Sequence, residues 1–399
     1  MGVSRISNLA TGEDVRSTRR VLQQLGTEIS DRGKGEVEVN SAGLGGYTQP
    51  ETSLDAGNSG TTIRLMAGVL SGRSFQSTLT GDKSLTNRPM KRITEPLRLM
   101  GADIDADTDG TAPLVIRPSV LHGIDYTLPV ASAQVKSAVI LAGLQTEEGT
   151  TVVREDRLSR RHTEMMLSSL GAPVGIDGAV VTVNPMVAPL NPFNLRIPGD
   201  PSSAAYWATL AAIQPGSVCR IRDIHLSPER TAYFDVLGAM GADVELRVQD
   251  RRMEPRGDLV VRHNTLRGIT LEKSMVPALI DELPLLAVAG MFASGKTEVT
   301  GAGELRYKET DRIRAVVRNG SAMNADIRGT DDGFVIQGGS GVEGGELDSF
   351  GDHRIALAFG IAAVAASGPS VMHGSEAADI SYPEFWETLA SLIQHPTVN

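Results

Sequence analysis

Gly60-Thr-Thr-Ile-Arg-Leu-Met-Ala-Gly-Val-Leu-Ser-Gly72 reads as an apolar helix closed by glycine. A strand-like stretch then reaches Thr80, and Arg88 to Met100 reads as a second helix that ends on Gly101-Ala102-Asp103-Ile104. The same order returns along the chain. Later second helices end at Leu170-Gly171-Ala172, Met240-Gly241-Ala242-Asp243, Met323-Asn324-Ala325-Asp326 and Leu392, and the earliest at Leu25-Gly26, a period of roughly 70 to 80 residues. Six copies of one α/β unit, of βαβαββ type, are expected. Five first helices are found: Gly60 to Val69, Ala133 to Leu144, Ser202 to Ala212, Val276 to Phe292 and His353 to Ala365. Met1-Gly2 stands where the other copies have the glycine that ends this helix, as in Gly149, Gly216, Gly295 and Gly368. The first copy is therefore expected to be incomplete, with a segment missing upstream.

At 399 residues the chain has room for two domains with proper cores. Six repeats then divide three and three, over 1–197 and 198–399. Aromatic residues make up 4%, while Ala, Leu, Val and Gly dominate, which suits thin, closely packed helices. The run Leu283-Pro-Leu-Leu-Ala-Val-Ala-Gly-Met-Phe292 is apolar all round, and a helix of that kind is buried. No apolar run reaches membrane-spanning length free of charge, and no basic-then-apolar leader opens the chain, so a cytoplasmic protein without a membrane partner is expected. The formal charge of −10 argues against nucleic acid as a partner. Small anions remain open, because a few arginines and helix ends decide their binding. The sole cysteine, Cys219, lies in a strand-like Ser-Val-Cys-Arg-Ile stretch and reads as a core thiol.

Gly290-Met-Phe-Ala-Ser-Gly295-Lys296-Thr297 matches the phosphate-binding pattern G-x-x-x-x-G-K-[ST]. Its context denies the match. A phosphate-binding loop needs a strand before the first glycine and a helix after Lys-Thr. Here Leu283 to Phe292 reads as helix and Lys296 to Thr300 as strand, with Gly295 as a left-handed cap. The corresponding junctions at Gly72, Gly216 and Gly368 carry no such lysine.

Leu54-Asp-Ala-Gly57-Asn58-Ser59-Gly60-Thr-Thr-Ile-Arg64 places small hydrogen-bonding residues at a helix start, where first-turn amides and the helix dipole favour phosphate or carboxylate. A plain glycine-rich cap accounts for it equally well. Ser132-Ala133-Gln134 and Asp352-His353-Arg354 open other first helices in the same manner. Arg88 stands just ahead of Pro89, a residue suited to a first turn, and is able to clamp an anion or simply to lie in a solvated loop. In Leu305-Arg-Tyr-Lys308-Glu309-Thr-Asp311-Arg312, Lys308 and Arg312 are four apart and of like sign, a repulsive spacing on a helix unless an anion lies between them. Ile280-Asp281-Glu282 sets two acids beside an apolar run, where carboxylates act as caps or as proton acceptors. The seven histidines show no paired spacing, so no metal is expected.

Taken together, Leu54 to Arg64, Arg88-Pro-Met, Ala-Ser-Ala-Gln-Val-Lys-Ser at 131–137, Pro-Gly-Asp-Pro-Ser-Ser at 198–203, Lys-Glu-Thr-Asp-Arg at 308–312 and Asp-His-Arg at 352–354 closely resemble the 5-enolpyruvylshikimate-3-phosphate synthase family. The resemblance covers essentially the whole chain. It implies a two-domain, inside-out α/β dome fold, with three repeats around buried helices in each domain, and substrates in the interdomain cleft. The reaction implied moves the enolpyruvyl group of phosphoenolpyruvate onto the 5-hydroxyl of shikimate 3-phosphate, by addition and then elimination of phosphate. It implies no cofactor and a monomer.

By matching motif, Gly60, Arg88, Gln134, Arg312 and Arg354 would hold phosphoenolpyruvate. Ser132, Gln134, Arg160, Asp281 and Lys308 would hold shikimate 3-phosphate. Asp281 would accept the hydroxyl proton, and Glu309 would move protons at the methylene carbon. Physical chemistry suits that division, because the enol carbon must be protonated while the attacking hydroxyl loses its proton.

The chain departs from the family in three places. A Gly-Asp-Lys-Ser-x-x-x-Arg segment near the family's N-terminus has no counterpart, since Gly81-Asp82-Lys83-Ser84 belongs to the second repeat; Ala133 and Ile380 stand where many members have serine and lysine. Two other readings are carried: the related transferase acting on UDP-N-acetylglucosamine, which commonly carries a catalytic cysteine in its first domain, and a catalytically impaired anion-binding remnant.

Overall fold

Helix starts follow from the polar residue set ahead of each apolar run. Ser59 Oγ accepts from the Thr62 amide, Ser132 Oγ from Val135, Asp200 from Ser202 and Ser203, and Asp352 from Arg354. Each bond satisfies a first-turn amide that has no partner within the helix. A computed structural model describes residues 2–33, 35–251 and 254–394. Its helices are α1 (Glu13–Gln24), α2 (Gly60–Leu70), α3 (Lys83–Thr86), α4 (Lys91–Leu99), α5 (Ala133–Gly143), α6 (His162–Ser169), α7 (Pro201–Ile213), α8 (Pro228–Ala239), α9 (Val276–Leu279), α10 (Leu283–Phe292), α11 (Arg312–Ala322), α12 (His353–Ala365) and α13 (Phe385–Gln394). None is long and apolar enough to cross a membrane by itself.

The chain divides into two compact units, Met1–Ile197 and Pro198–Asn399. Six sheets are present among the described residues, and most repeat one plan. In the first unit, Leu54–Asp55 pairs parallel with Ser77–Thr80, which pairs antiparallel with Leu114–Arg117, the partner of Asp103–Asp105. Asp125–Thr127, Thr151–Arg154, Val180–Val183 and Val174–Asp177 repeat that order. In the remaining sheet of this unit, Gly2–Ser7 and the hairpin Glu28–Gly33/Glu36–Ser41 take the same places. Their parallel edge strand comes from far along the chain, Asn194–Arg196.

The second unit has two three-stranded sheets, in which the parallel edge shrinks to single bridges such as Gly199 to Ile224 and Thr270 to Glu298, and a parallel pair Glu346–Asp348/Val371–His373. Each unit has its own apolar core.

Small residues let the central helices touch. α2 packs on α5 so closely that a Cβ added at Gly68 would lie 2.2 Å from the Ala138 carbonyl oxygen. In the second unit α7, α10 and α12 pack on one another and are buried nearly all round. The order at 290–297 is helix, Gly295 with φ of +89°, then strand Gly295–Val299, so the phosphate-loop match is a coincidence of letters.

Two expected helices differ in detail. Val276 to Phe292 is two helices, with the axis turning by 112° at Ile280-Asp281-Glu282. Pro284 lies just beyond the turn, where α10 needs no amide from it. Arg88 to Met100 starts as helix only at Lys91; Asp82 caps the separate turn α3 through the Leu85 amide, and Arg88 lies between the two.

Candidate active site

Gly60 opens α2, and the absence of a side chain there matters because two guanidinium groups occupy the space. A Cβ at Gly60 would lie 2.8 Å from Arg64 Nη1 and 3.2 Å from Arg88 Nη1. Arg64 is four residues on along α2 and therefore on the same face. Arg88 is aimed from the other side. Its Nη2 donates to Asn58 Oδ1 at 2.7 Å, and Asn58 Nδ2 donates to Asp82 Oδ2 at 2.7 Å. Arg64 Nη1 donates to Gln134 Oε1 at 2.6 Å, and Gln134 Nε2 donates to Thr61 Oγ1 at 2.9 Å, which joins the first turns of α2 and α5. Two cations converging on a helix N-terminus repel unless an anion lies between them.

Ser132 caps α5 in this cluster. Arg160 lies half-buried in the segment between Thr151–Arg154 and α6. That segment is held to α5 by Lys136 and Ser137.

A second cluster forms in the other unit. The bend between α9 and α10 projects Asp281 among three cations. Lys308 Nζ and Arg312 Nη1 each lie 3.7 Å from Asp281 Oδ1, and Arg354 Nη2 lies 3.9 Å from Oδ2. The spacing of Lys308 and Arg312 is thus not a helical pair. Lys308 ends the short turn Gly303–Tyr307, α11 begins at Arg312 behind its cap Asp311, and the anion that relieves their repulsion is Asp281.

Arg312 is buried, and acids fix its orientation. Nε donates to Asp352 Oδ2 at 2.7 Å, and Nη2 donates to Asp352 Oδ1 at 3.2 Å and to Glu309 Oε2 at 2.6 Å. Its Nη1 is sealed from solvent without a hydrogen bond, a donor directed toward Asp281. Arg354 Nη1 donates to Glu282 Oε1 at 3.3 Å, an oxygen that also accepts from Ser202 Oγ at 2.5 Å. The N-terminal turns of α7, α10 and α12 therefore meet at one carboxylate.

Burial opposes the charge of Arg354, but Tyr206, Asp281, Glu282 and Asp200 outweigh it and hold the guanidinium proton more tightly than usual. For Arg312 burial is likewise outweighed, by Asp352 and Glu309. Burial pushes Tyr206 up to about 12, so its hydroxyl stays protonated. His353 is pushed the other way, to about 4, by burial and by the neighbouring Arg354 and Arg312 against the opposing pull of Asp352. Both arginines of this cluster are charged at neutral pH while the histidine beside them is not.

The sequence profile of EPSP synthase (3-phosphoshikimate 1-carboxyvinyltransferase) matches residues 1–389. The chain belongs to the EPSP synthase family. A 3-phosphoshikimate 1-carboxyvinyltransferase of Roseiflexus castenholzii is 44% identical over 395 residues, covering 97% of this chain and 91% of the relative. One of Synechocystis is 46% identical over 400 residues, covering 98% and 89%. The solved EPSP synthase of Acinetobacter baumannii superimposes with a TM-score of 0.86 at 39% identity, covering 98% of this chain and 89% of that one. The α/β, two-domain fold class expected from the repeats is the fold of that EPSP synthase.

Within this EPSP synthase family member the structure brings Gly60, Arg88 and Gln134 together in one cluster, and Asp281, Lys308, Glu309, Arg312 and Arg354 in the other. Three participants went unnamed among the sequence-derived site residues. Arg64 was findable from its four-residue spacing to Gly60. Glu282 and Asp352 looked like ordinary helix-start acids, and only the fold shows that they orient Arg354 and Arg312.

Proposed function

We propose that the chain transfers the enolpyruvyl group of phosphoenolpyruvate to the 5-hydroxyl of shikimate 3-phosphate and releases phosphate, a step of aromatic amino acid biosynthesis. The carrying observation is Asp281 held at 3.7–3.9 Å from Lys308, Arg312 and Arg354. That places one acid beside three cations suited to anionic substrates, within reach of the hydroxyl whose proton must leave.

In this reading Gly60, Arg88 and Gln134, with Arg64, take the phosphate of phosphoenolpyruvate, and Arg312 and Arg354 take its carboxylate. Ser132, Gln134, Arg160 and Lys308 orient shikimate 3-phosphate. Asp281 accepts the proton of the attacking hydroxyl as the carbon–oxygen bond forms at C2. Glu309, set by its bond to Arg312, delivers a proton to C3 and removes one as the carbon–oxygen bond to phosphate breaks, and the proton taken by Asp281 leaves with the released phosphate. Each proton transfer contributes roughly 10²–10⁴-fold to the rate. The arginines contribute positioning and fixed positive charge where the substrate is anionic.

UDP-N-acetylglucosamine is the less favoured acceptor. Cys219 lies in the strand Val218–His225 of the second unit, partly buried, and burial pushes its thiol up, away from the thiolate a reactive cysteine needs. The enzyme is further taken to be a cytoplasmic monomer, which sedimentation and cell fractionation test.

Phosphate release from phosphoenolpyruvate, measured with and without shikimate 3-phosphate, tests the reaction. Release that requires both compounds is expected. Equal release with UDP-N-acetylglucosamine in place of shikimate 3-phosphate refutes the choice of acceptor.

A further inference from the structure

One buried charged cluster has no part in the chemistry above. Lys136 follows Gln134 by two residues on α5 and is only 1% exposed, and its Nζ lies 2.9 Å from Glu155 Oε2 and 2.7 Å from Glu164 Oε1, both also buried. The Glu164 oxygens are sealed from solvent with no aligned hydrogen bond, so Lys136 is the charge that compensates them. Stability does not explain such a group. Replaced together by neutral side chains of similar size, a buried ionic cluster is often neutral or favourable to lose, whereas losing one member strands a charge.

What the cluster provides is a fixed geometry. Glu155 follows the strand Thr151–Arg154, and its carboxylate turns back to accept from Ser159 Oγ at 2.5 Å and from the Ser159 amide at 3.2 Å. Glu164 lies in the first turn of α6, and beside it Thr163 Oγ1 shares a hydrogen bond of 2.7 Å with Ser137 Oγ. Two successive residues of α5 thus hold both ends of the segment 155–164. That segment carries Arg157, Arg160 and Arg161, three like charges close together in sequence. Left untied, they favour an open and mobile loop.

We propose that Lys136 is a positioning residue for shikimate 3-phosphate. Through Glu155 and Glu164 it sets the arginine-bearing segment, and with it Arg160, against the helix whose first turn carries Ser132 and Gln134. The assignment rests on the transferase reading above.

Three variants test it: Lys136→Met, the triple variant Lys136→Met/Glu155→Gln/Glu164→Gln, and Lys136→Arg. Lys136→Met lowers the melting temperature because two acids are stranded, and the triple variant recovers it. Even so, in the triple variant amide hydrogen exchange across 156–161 is about tenfold faster than in the parent. Its KM for shikimate 3-phosphate rises about tenfold while that for phosphoenolpyruvate stays within about twofold. Lys136→Arg recovers most of both effects. A triple variant with the parent's exchange at 156–161 and the parent's KM for shikimate 3-phosphate overturns the proposal, as does an equal rise in both KM values. If the parent chain itself releases no phosphate from the two substrates, the transferase reading fails, and the exchange comparison alone decides whether Lys136 fixes the segment.

Discussion

Arg312 and Asp352 form a two-pronged pair with both side chains buried, Nε to Oδ2 at 2.7 Å and Nη2 to Oδ1 at 3.2 Å. The same Asp352 Oδ1 accepts the Arg354 amide at 2.8 Å and so caps α12. One carboxylate therefore sets a guanidinium on α11 and the start of the helix that carries Arg354. Asp352→Asn leaves the buried Arg312 charge uncompensated at this face, at a cost of about 3–5 kcal/mol. Chemical denaturation at neutral pH checks this, and a variant as stable as the parent removes the pair from the account of the fold.

Asp281 is the carboxylate proposed to take the hydroxyl proton. Asp281→Asn keeps its shape and removes its basicity, so kcat is expected to fall roughly 10²–10⁴-fold with both KM values nearly unchanged. Steady-state kinetics on the variant decide it. Undiminished turnover discards Asp281 as base.

Gly60→Ala inserts a methyl group 2.8 Å from Arg64 Nη1 and 3.2 Å from Arg88 Nη1. Both contacts are ends of flexible side chains, so the fold shifts them cheaply, by less than about 1 kcal/mol. The convergence of the two arginines is lost instead. The expected result is a KM for phosphoenolpyruvate raised about tenfold at near-parental stability, and an unchanged KM means that the pair does not hold this substrate.

Gly68→Ala is the opposite case, because its Cβ meets backbone. The added atom lies 2.2 Å from the Ala138 carbonyl oxygen, and α2 and α5 have no side chain to move aside. Overpacking of this kind costs about 1–3 kcal/mol or more. A melting temperature equal to the parent's contradicts the close crossing of these two helices.

His353 supplies a pH dependence whose sign follows from its depressed value. Its Nδ1 is sealed off, and the imidazole titrates at about 4 against 6.5 in the unfolded chain. As pH falls below 6.5 the unfolded chain takes up the proton first. Stability that is complete above that point is lost progressively down to about pH 4. The loss is on the order of 2 kcal/mol after allowance for the partial exposure of the residue. His353→Gln is expected to flatten the fall in melting temperature over this range, and an unaltered slope assigns it to other groups.

Much of the fold was legible because the repeat makes each helix end visible several times over. Glycine after Leu25, Met100, Leu170 and Met240 takes the left-handed conformation, and Asn324 takes it at φ of 59° in the fifth copy. Breaks inside an element were only partly legible. In Val276 to Phe292 the sign was Pro284, which a continuous helix would have to hold in its interior, while the packing of Glu282 against Ser202 and Arg354 at the turn was not visible in the sequence. Partners far apart in sequence were equally hidden: Lys136 finds Glu155 and Glu164, and Arg312 finds Asp352, through folding alone. Local spacing even misled at Lys308 and Arg312, where the anion inferred between them proved to be Asp281, from the bend between α9 and α10 of the same repeat.

The proposed transfer is tested most directly by following carbon and phosphorus together, with isotopically labelled phosphoenolpyruvate and shikimate 3-phosphate incubated with this chain and the products read by NMR. An enolpyruvyl ether at the 5-oxygen, formed in equal amount to phosphate, is the expected result. Phosphate without the ether, or neither product, contradicts it.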